Sequence, residues 1–282
     1  MKIAEVRVQV GSYQWFYREA KPKGSEVLGI VILLHGLVSQ SYGWREVLPV
    51  LAEQGYRVIA PDWLGCGYSD MPDRLDFAYT PELLIEALGG FLDALEIGTC
   101  TIVAQGFLAT AGIQYALHNP DRVDRLAVFN APIFQTVKLP WKLKQLGIPL
   151  IGEALVQDFT LPDKILEGAG GYRVEDKDMD IYRRPWIKTS DAGRALHAMV
   201  QNLQLAKVSA ELEQGLKTWR KPLLIGWGMR DPWLPVEAAK ALAAVVPDGE
   251  FVELYEVGHY VQEDWPEKVN DALLRLLKRQ AI

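Results

Sequence analysis

His259 is the residue in this chain best suited by type and setting to move a proton. It lies between Gly258 and Tyr260, just after the last apolar run that reads as a strand, where a side chain can lean over a pocket. Imidazole titrates near neutrality, so it can take up a proton and return it at physiological pH. The competing reading is a loop histidine with a structural hydrogen bond. Asp231, beyond the apolar run 223–227, is the right type to orient the ring and stabilise its protonated form. An aspartate before Pro232 can equally close a turn with its own carboxylate, and Arg230 is an alternative partner. A third position matters for what it lacks. The stretch VAQGFLA, residues 103–109, follows an apolar run and opens a helical pattern, the strand–turn–helix setting that presents a nucleophile. Gly106, at the turn, has no side chain to attack with.

Two further loops join these. His35-Gly36-Leu37 follows a strand-like run, and His35 is read chiefly as shaping that turn, with a base role as the lesser alternative. The N–H of Leu37, paired with that of Phe107, would make an oxyanion hole, which needs only main-chain donors. Trp63 and Tyr260 are counted as possible pocket walls. His197 is a packed cap residue or one that faces a ligand, and His118, before Asn119-Pro120, is a capping or surface residue. Cys66, between Gly65 and Gly67, has no evident paired base. Asp62 and Asp70 are expected to hold that turn through backbone hydrogen bonds, and G-x-G alone is too short for a phosphate loop.

The elements needed to position these residues are legible in the hydropathy. Val6, Val8 and Val10 alternate with polar residues, and a turn at Gly11-Ser12 leads to Trp15–Tyr17, which predicts a hairpin. Short apolar runs at 30–34, 58–62, 101–104 and 126–130 alternate with helical patterns at 44–51, 82–95 and 108–117. That rhythm predicts a mostly parallel sheet covered by helices. It breaks from 135 to 219, where prolines separate amphipathic segments rich in aromatics, and resumes with strands at 223–227 and 251–255 and a closing helix at 266–277. The expected organisation is a core of residues 1–134 and 220–282 with a helical cap, 135–219. In such a sheet ligands bind beyond the carboxyl ends of the strands, where all the loops above would converge.

Composition limits the rest. Of 282 residues 49% are apolar and 23% charged, with a net charge of −6, which suits an ordinary folded domain. The acidic balance and the lack of a basic stripe argue against a nucleic-acid partner; Lys138, Lys142 and Lys144 read as a solvated face. Charged residues interrupt MKIAEVRVQV, so no signal peptide is expected, and no apolar run suits a membrane span. Cys66 and Cys100 form no metal-spaced pair. A reduced, cytoplasmic protein with no metal or cofactor is expected, its oligomeric state left open.

Several stretches together resemble a known family: LLHG at 33–36, RVIAPDWLGCGYSD at 57–70, VAQGF at 103–107, HNPDRV at 118–123, then Asp231 and Gly258-His259-Tyr260. The chain looks like an α/β-hydrolase-fold protein, nearest the haloalkane dehalogenase and epoxide hydrolase branch, over almost its whole length. The resemblance implies an eight-stranded sheet with an inserted cap. It places Gly106 where the branch has its nucleophilic aspartate, Asp231 at the acid, His259 at the general base, and Leu37 and Phe107 at the oxyanion donors. Asn130 falls where some relatives have an alternative acid or polar helper. Phe107 stands where dehalogenases have a halide-binding tryptophan, and HGLV where they have HGNP. Tyr172 and Tyr182 are available as the cap tyrosines of epoxide hydrolases. A V-x-Q-G-F-like elbow is also similar to cyanobacterial and plastid proteins named hydrolases by fold alone. A covalent route through residue 106 is excluded chemically. The implied function is noncovalent hydrolysis or proton abstraction on a small, mostly apolar substrate, with Gly106 leaving a recess for water or a carboxylate. The alternatives are an inactive pseudoenzyme or small-ligand binder using the same pocket, and an engineered nucleophile knockout.

Overall fold

The computed structural model describes residues 1–24 and 26–279. Eight strands form one sheet: β1 (Ala4–Val10), β2 (Tyr13–Ala20), β3 (Gly29–Leu34), β4 (Tyr56–Pro61), β5 (Cys100–Gln105), β6 (Val123–Phe129), β7 (Leu223–Gly228) and β8 (Gly249–Leu254). Their order is β1-β2-β4-β3-β5-β6-β7-β8. Only the β1–β2 hairpin and the β2–β4 pairing are antiparallel; the other pairs are parallel. The expected mostly parallel sheet with helices inserted between β6 and β7 is what forms.

Alternation along the strands decides which residues build which layer. In β3, Ile32 and Leu34 enter one apolar layer with Ile102, Leu126 and Trp227. Val31 and Leu33 enter the other with Val103, Ala127 and Leu224. The helices preceding the inserted region are α1 (Leu48–Glu53), α2 (Pro81–Ala94) and α3 (Thr110–His118). Inserted between β6 and β7 are α4 (Trp141–Lys144), α5 (Ile151–Leu155), α6 (Leu161–Ala169), α7 (Asp176–Lys188), α8 (Asp191–Asn202) and α9 (Leu205–Thr218). The last three are α10 (Val236–Ala243), α11 (Val261–Asp264) and α12 (Pro266–Lys278). Among the described residues, no helix is long and apolar enough to cross a membrane.

One expected helix is corrected. The pattern at 44–51 predicts a single helix, but a 3-10 turn at Ser41–Trp44 precedes α1, which starts only at Leu48. Pro49 accounts for the late start: without an N–H, proline suits a first turn and disrupts an interior one.

Register explains how distant loops meet. Leu34 lies beside Ala104, Gln105 beside Phe129, Phe129 beside Gly226, and Gly228 beside Leu254. The residues that follow these strands therefore leave the same edge of the sheet. The chain also reverses direction here: β4 lies on one side of β3 and β5 on the other. The crevice at that switch point is flanked by Gly36-Leu37 and Gly106-Phe107.

Candidate active site

The two loops at the switch point touch through bare backbone. A Cβ on Gly36 would lie 2.9 Å from the Gln105 carbonyl oxygen and 3.1 Å from the Gly106 Cα. Gly106 has φ +79°, in the left-handed region that glycine enters at little cost. Its N–H donates to the Phe129 carbonyl at 3.1 Å, which ties the elbow to β6. Thr110 donates its hydroxyl to the Phe107 carbonyl at 2.8 Å, so it closes the turn. The N–H groups of Leu37 and Phe107 donate to no protein acceptor among the described residues.

Opposite the elbow, His259 Nδ1 lies 2.8 Å from Asp231 Oδ2, and both side chains are 1% exposed. An ionised carboxylate only accepts, so Nδ1 carries the hydrogen and Nε2 is left with its lone pair. That lone pair faces the elbow: a Cβ on Gly106 would lie 3.2 Å from Nε2. The recess expected above Gly106 is therefore largely taken by the imidazole itself. Phe107 stacks on the ring at 5.6 Å between centroids, Trp233 lies 4.6 Å away, and Tyr260 stands perpendicular at 5.0 Å.

Asp231 serves both readings of its position at once. Its Oδ1 accepts from the N–H groups of Trp233 (2.7 Å) and Leu234 (3.2 Å), the turn expected before a proline. Its Oδ2 accepts from His259 and from Asn130 Nδ2 at 2.7 Å. Arg230 pairs instead with Glu256. Asn130, at φ +39°, also accepts from the Gly228 N–H at 2.8 Å and so locks the end of β6 to that of β7. Asn130→Ala should leave the buried Gly228 N–H unpaired and remove one Asp231 donor. We expect a loss of about 1–3 kcal/mol in urea unfolding.

The structure brings together His259, Asp231, Asn130, Gly106, Phe107, Leu37 and Tyr260; the Tyr260 hydroxyl donates to the Leu37 carbonyl at 3.1 Å. It also adds residues the sequence reading passed over. Trp233 walls the ring. Gln105 Nε2 donates to the His259 carbonyl at 2.8 Å, and the His259 N–H donates to the Ala169 carbonyl at 2.7 Å. A tryptophan two residues beyond the acid was the available signal for the first.

Other candidates are engaged elsewhere. His35 is fully buried, with Nδ1 2.9 Å from the Gly36 carbonyl and Nε2 accepting from the Trp63 N–H at 3.2 Å. Trp63 Nε1 returns a bond to the His35 carbonyl at 3.1 Å, so the pair braces its turn. Burial pushes the His35 imidazole below its ordinary value of 6.5, against smaller upward effects of Asp62 and Gly36. As pH falls below 6.5, the unfolded chain takes up a proton that folded His35 resists. Stability should therefore decline into acid, and urea titrations of His35→Gln should show a shallower decline. His197 lines a separate cavity with Arg194 and Glu153, its Nδ1 held by the Leu146 carbonyl at 2.7 Å. Tyr182 is buried with its hydroxyl on Glu263, and Tyr172 is half exposed. Cys66 packs its sulfur on that of Met199, and burial raises its thiol. Asp62 holds the end of the Gly65–Gly67 turn at the Tyr68 N–H and also the Ser41 N–H, whereas Asp70 meets the turn only through its main-chain carbonyl, from Gly65, and turns its carboxylate to the Gln14 N–H of β2.

A parallel sheet with this switch point, a glycine elbow, and an acid and histidine after the last two strands define a class. The chain belongs to the α/β-hydrolase-fold family, whose profile matches residues 29–266. Among its relatives is a haloalkane dehalogenase of Mesorhizobium japonicum, 30% identical over 91% of this chain and 85% of that protein. A cis-3-alkyl-4-alkyloxetan-2-one decarboxylase of Shewanella oneidensis is 27% identical over 85% of this chain and 79% of that one. The crystal structure of a haloalkane dehalogenase from Bradyrhizobium elkani superposes with a TM-score of 0.86 at 22% identity, covering 98% of both chains.

Proposed function

We propose that this protein is a hydrolase that works without a covalent intermediate. His259, oriented by Asp231 and Asn130, is the general base, acting through Nε2 on water or on a substrate proton. The Leu37 and Phe107 N–H groups meet the negative charge that develops. One observation carries the reading: the base is fully supported, with Asp231 held by three donors besides the histidine, although the elbow it faces has no nucleophile. The walls of Phe107, Trp233 and Tyr260 favour a small, mostly apolar substrate.

The test is a panel of esters, epoxides, haloalkanes and a four-membered lactone, the last suggested by the decarboxylase relative. Single turnover in ¹⁸O-water should place the label directly in product, with no change in the intact mass of the protein. A mass adduct trapped during turnover would overturn the noncovalent route.

Closure of the site favours a second reading, a small-ligand binder. His259, Leu37 and Phe107 are each no more than 2% exposed. Native mass spectrometry of freshly purified protein would then show a retained ligand, and a reproducibly empty pocket that takes up no compound would count against it.

A further inference from the structure

On the outer edge of the molecule, away from His259, an open cavity of about 570 Å³ lies between the β1–β2 hairpin and cap helix α7. Glu5, Arg7, Phe16, Arg18, Tyr42, Tyr68 and Arg184 line it, with Ile181. Three guanidinium groups thus share one cavity with a single carboxylate, in a chain whose net charge is −6.

Arg18 is 4% exposed and immobilised: it donates to Ser41 Oγ at 2.6 Å and to Glu5 Oε1 at 2.9 Å. Its guanidinium lies over the rings of Phe16, Tyr42 and Tyr68 at 5.0, 5.2 and 5.8 Å. Arg7 lies over the Phe16 ring at 5.5 Å and donates to the Tyr68 carbonyl at 2.8 Å. Arg184 faces the Tyr68 phenol across the cavity, and burial raises that phenol against the opposing charges of Arg184 and Arg18. Among the described residues, neither Arg7 nor Arg184 has a carboxylate within 4.0 Å, while Glu5 answers Arg18. Like charges gathered this way repel, and aromatic faces offset only part of that cost.

We infer that this cavity is a binding site for a phosphate monoester, its oxyanion held by Arg7 and Arg184 and its organic part laid on Tyr42 and Tyr68. Two guanidinium groups without a counter-charge call for nearly two negative charges on one group. A phosphate monoester carries about −1.5 to −2 at neutral pH, whereas a simple carboxylate carries only one. Guanidinium groups also match phosphate oxygens in paired hydrogen bonds. The immobile Arg18 supplies a fixed positive background at the floor. The site shares no residue with the His259–Asp231 site, and it stands whether or not the proposed hydrolase reading does.

Calorimetry at moderate salt with phenyl phosphate, inorganic phosphate and benzoate tests the assignment. Phenyl phosphate should bind saturably and at least tenfold more tightly than benzoate, with inorganic phosphate weaker for lack of a ring. Arg7→Gln and Arg184→Gln, both exposed positions that leave Arg18 in place, should each weaken phenyl phosphate at least tenfold with an unchanged melting temperature. No saturable binding of phenyl phosphate would overturn the site. Benzoate binding as tightly would overturn the dianion, inorganic phosphate binding as tightly would overturn the role of the rings, and unchanged affinity in both variants would overturn the location.

Discussion

His259→Ala should lower kcat/KM on any compound this protein turns over by about 10²–10⁴-fold, the contribution of a positioned general base. The fold should survive, because Asp231 keeps its bonds from Asn130, Trp233 and Leu234. His259→Gln separates shape from chemistry, since it restores a polar group without a base near neutrality. The measurement is steady-state turnover for both variants on the best substrate of the panel, alongside circular dichroism to show that the sheet is intact. Equal losses in both would fit a base, whereas recovery in the glutamine variant would point to a hydrogen-bonding role. Turnover unchanged in the alanine variant would remove His259 from the mechanism.

Gly106→Asp should not create a covalent enzyme, even though it restores the residue type found at this position in the branch the chain resembles. Its Cβ would lie 3.1 Å from the Gly36 Cα and 3.2 Å from His259 Nε2, tighter than most Cβ contacts, so these neighbours must give by a few tenths of an ångström. A side chain at φ +79° adds about 1–2 kcal/mol of backbone strain. Packing of the imidazole against Phe107 and Trp233 resists that adjustment. Phe107 also lacks the indole N–H that would hold a departing halide. Urea unfolding should show the loss of stability, and halide release from a haloalkane panel should stay at background. Halide release by a variant as stable as the parent would reverse this account and mark the glycine as a simple disabling change.

The legible parts of the fold were those that short-range chemistry dictates. Alternating valines gave away β1, and continuous apolar runs marked the buried parallel strands. The glycines of the elbow and of the His35 loop signalled close backbone approach. The site was visible as loop residues after strands because register, once the strands are parallel, sends those loops to one edge. What stayed hidden depends on contacts across the fold. Gln105 holds the His259 carbonyl from 154 residues away, which no local pattern encodes. His197 has the periodicity of a cap helix, but only packing decides that it meets Leu146 and not the elbow. The four-residue α11 is too short to show a helical period, although it carries Glu263 and Asp264.

The inserted helices touch the His259 loop directly. The His259 N–H ends on the last residue of α6, and Asp264 accepts from the N–H groups of Gly171, Tyr172 and Gly258. On the other side Arg45 joins Asp178 of α7 to Glu263 of α11, and Tyr182 bonds the same glutamate. The inserted helices are thus not a hinged cover resting on a finished site. They hold the main chain of His259, while Asp231, Phe107, Trp233 and Tyr260 hold its ring, so an opening on this side would break a backbone bond beside the imidazole. The inserted region and the His259 loop are therefore stitched together along the backbone, and a change in one is felt at the other through main-chain hydrogen bonds.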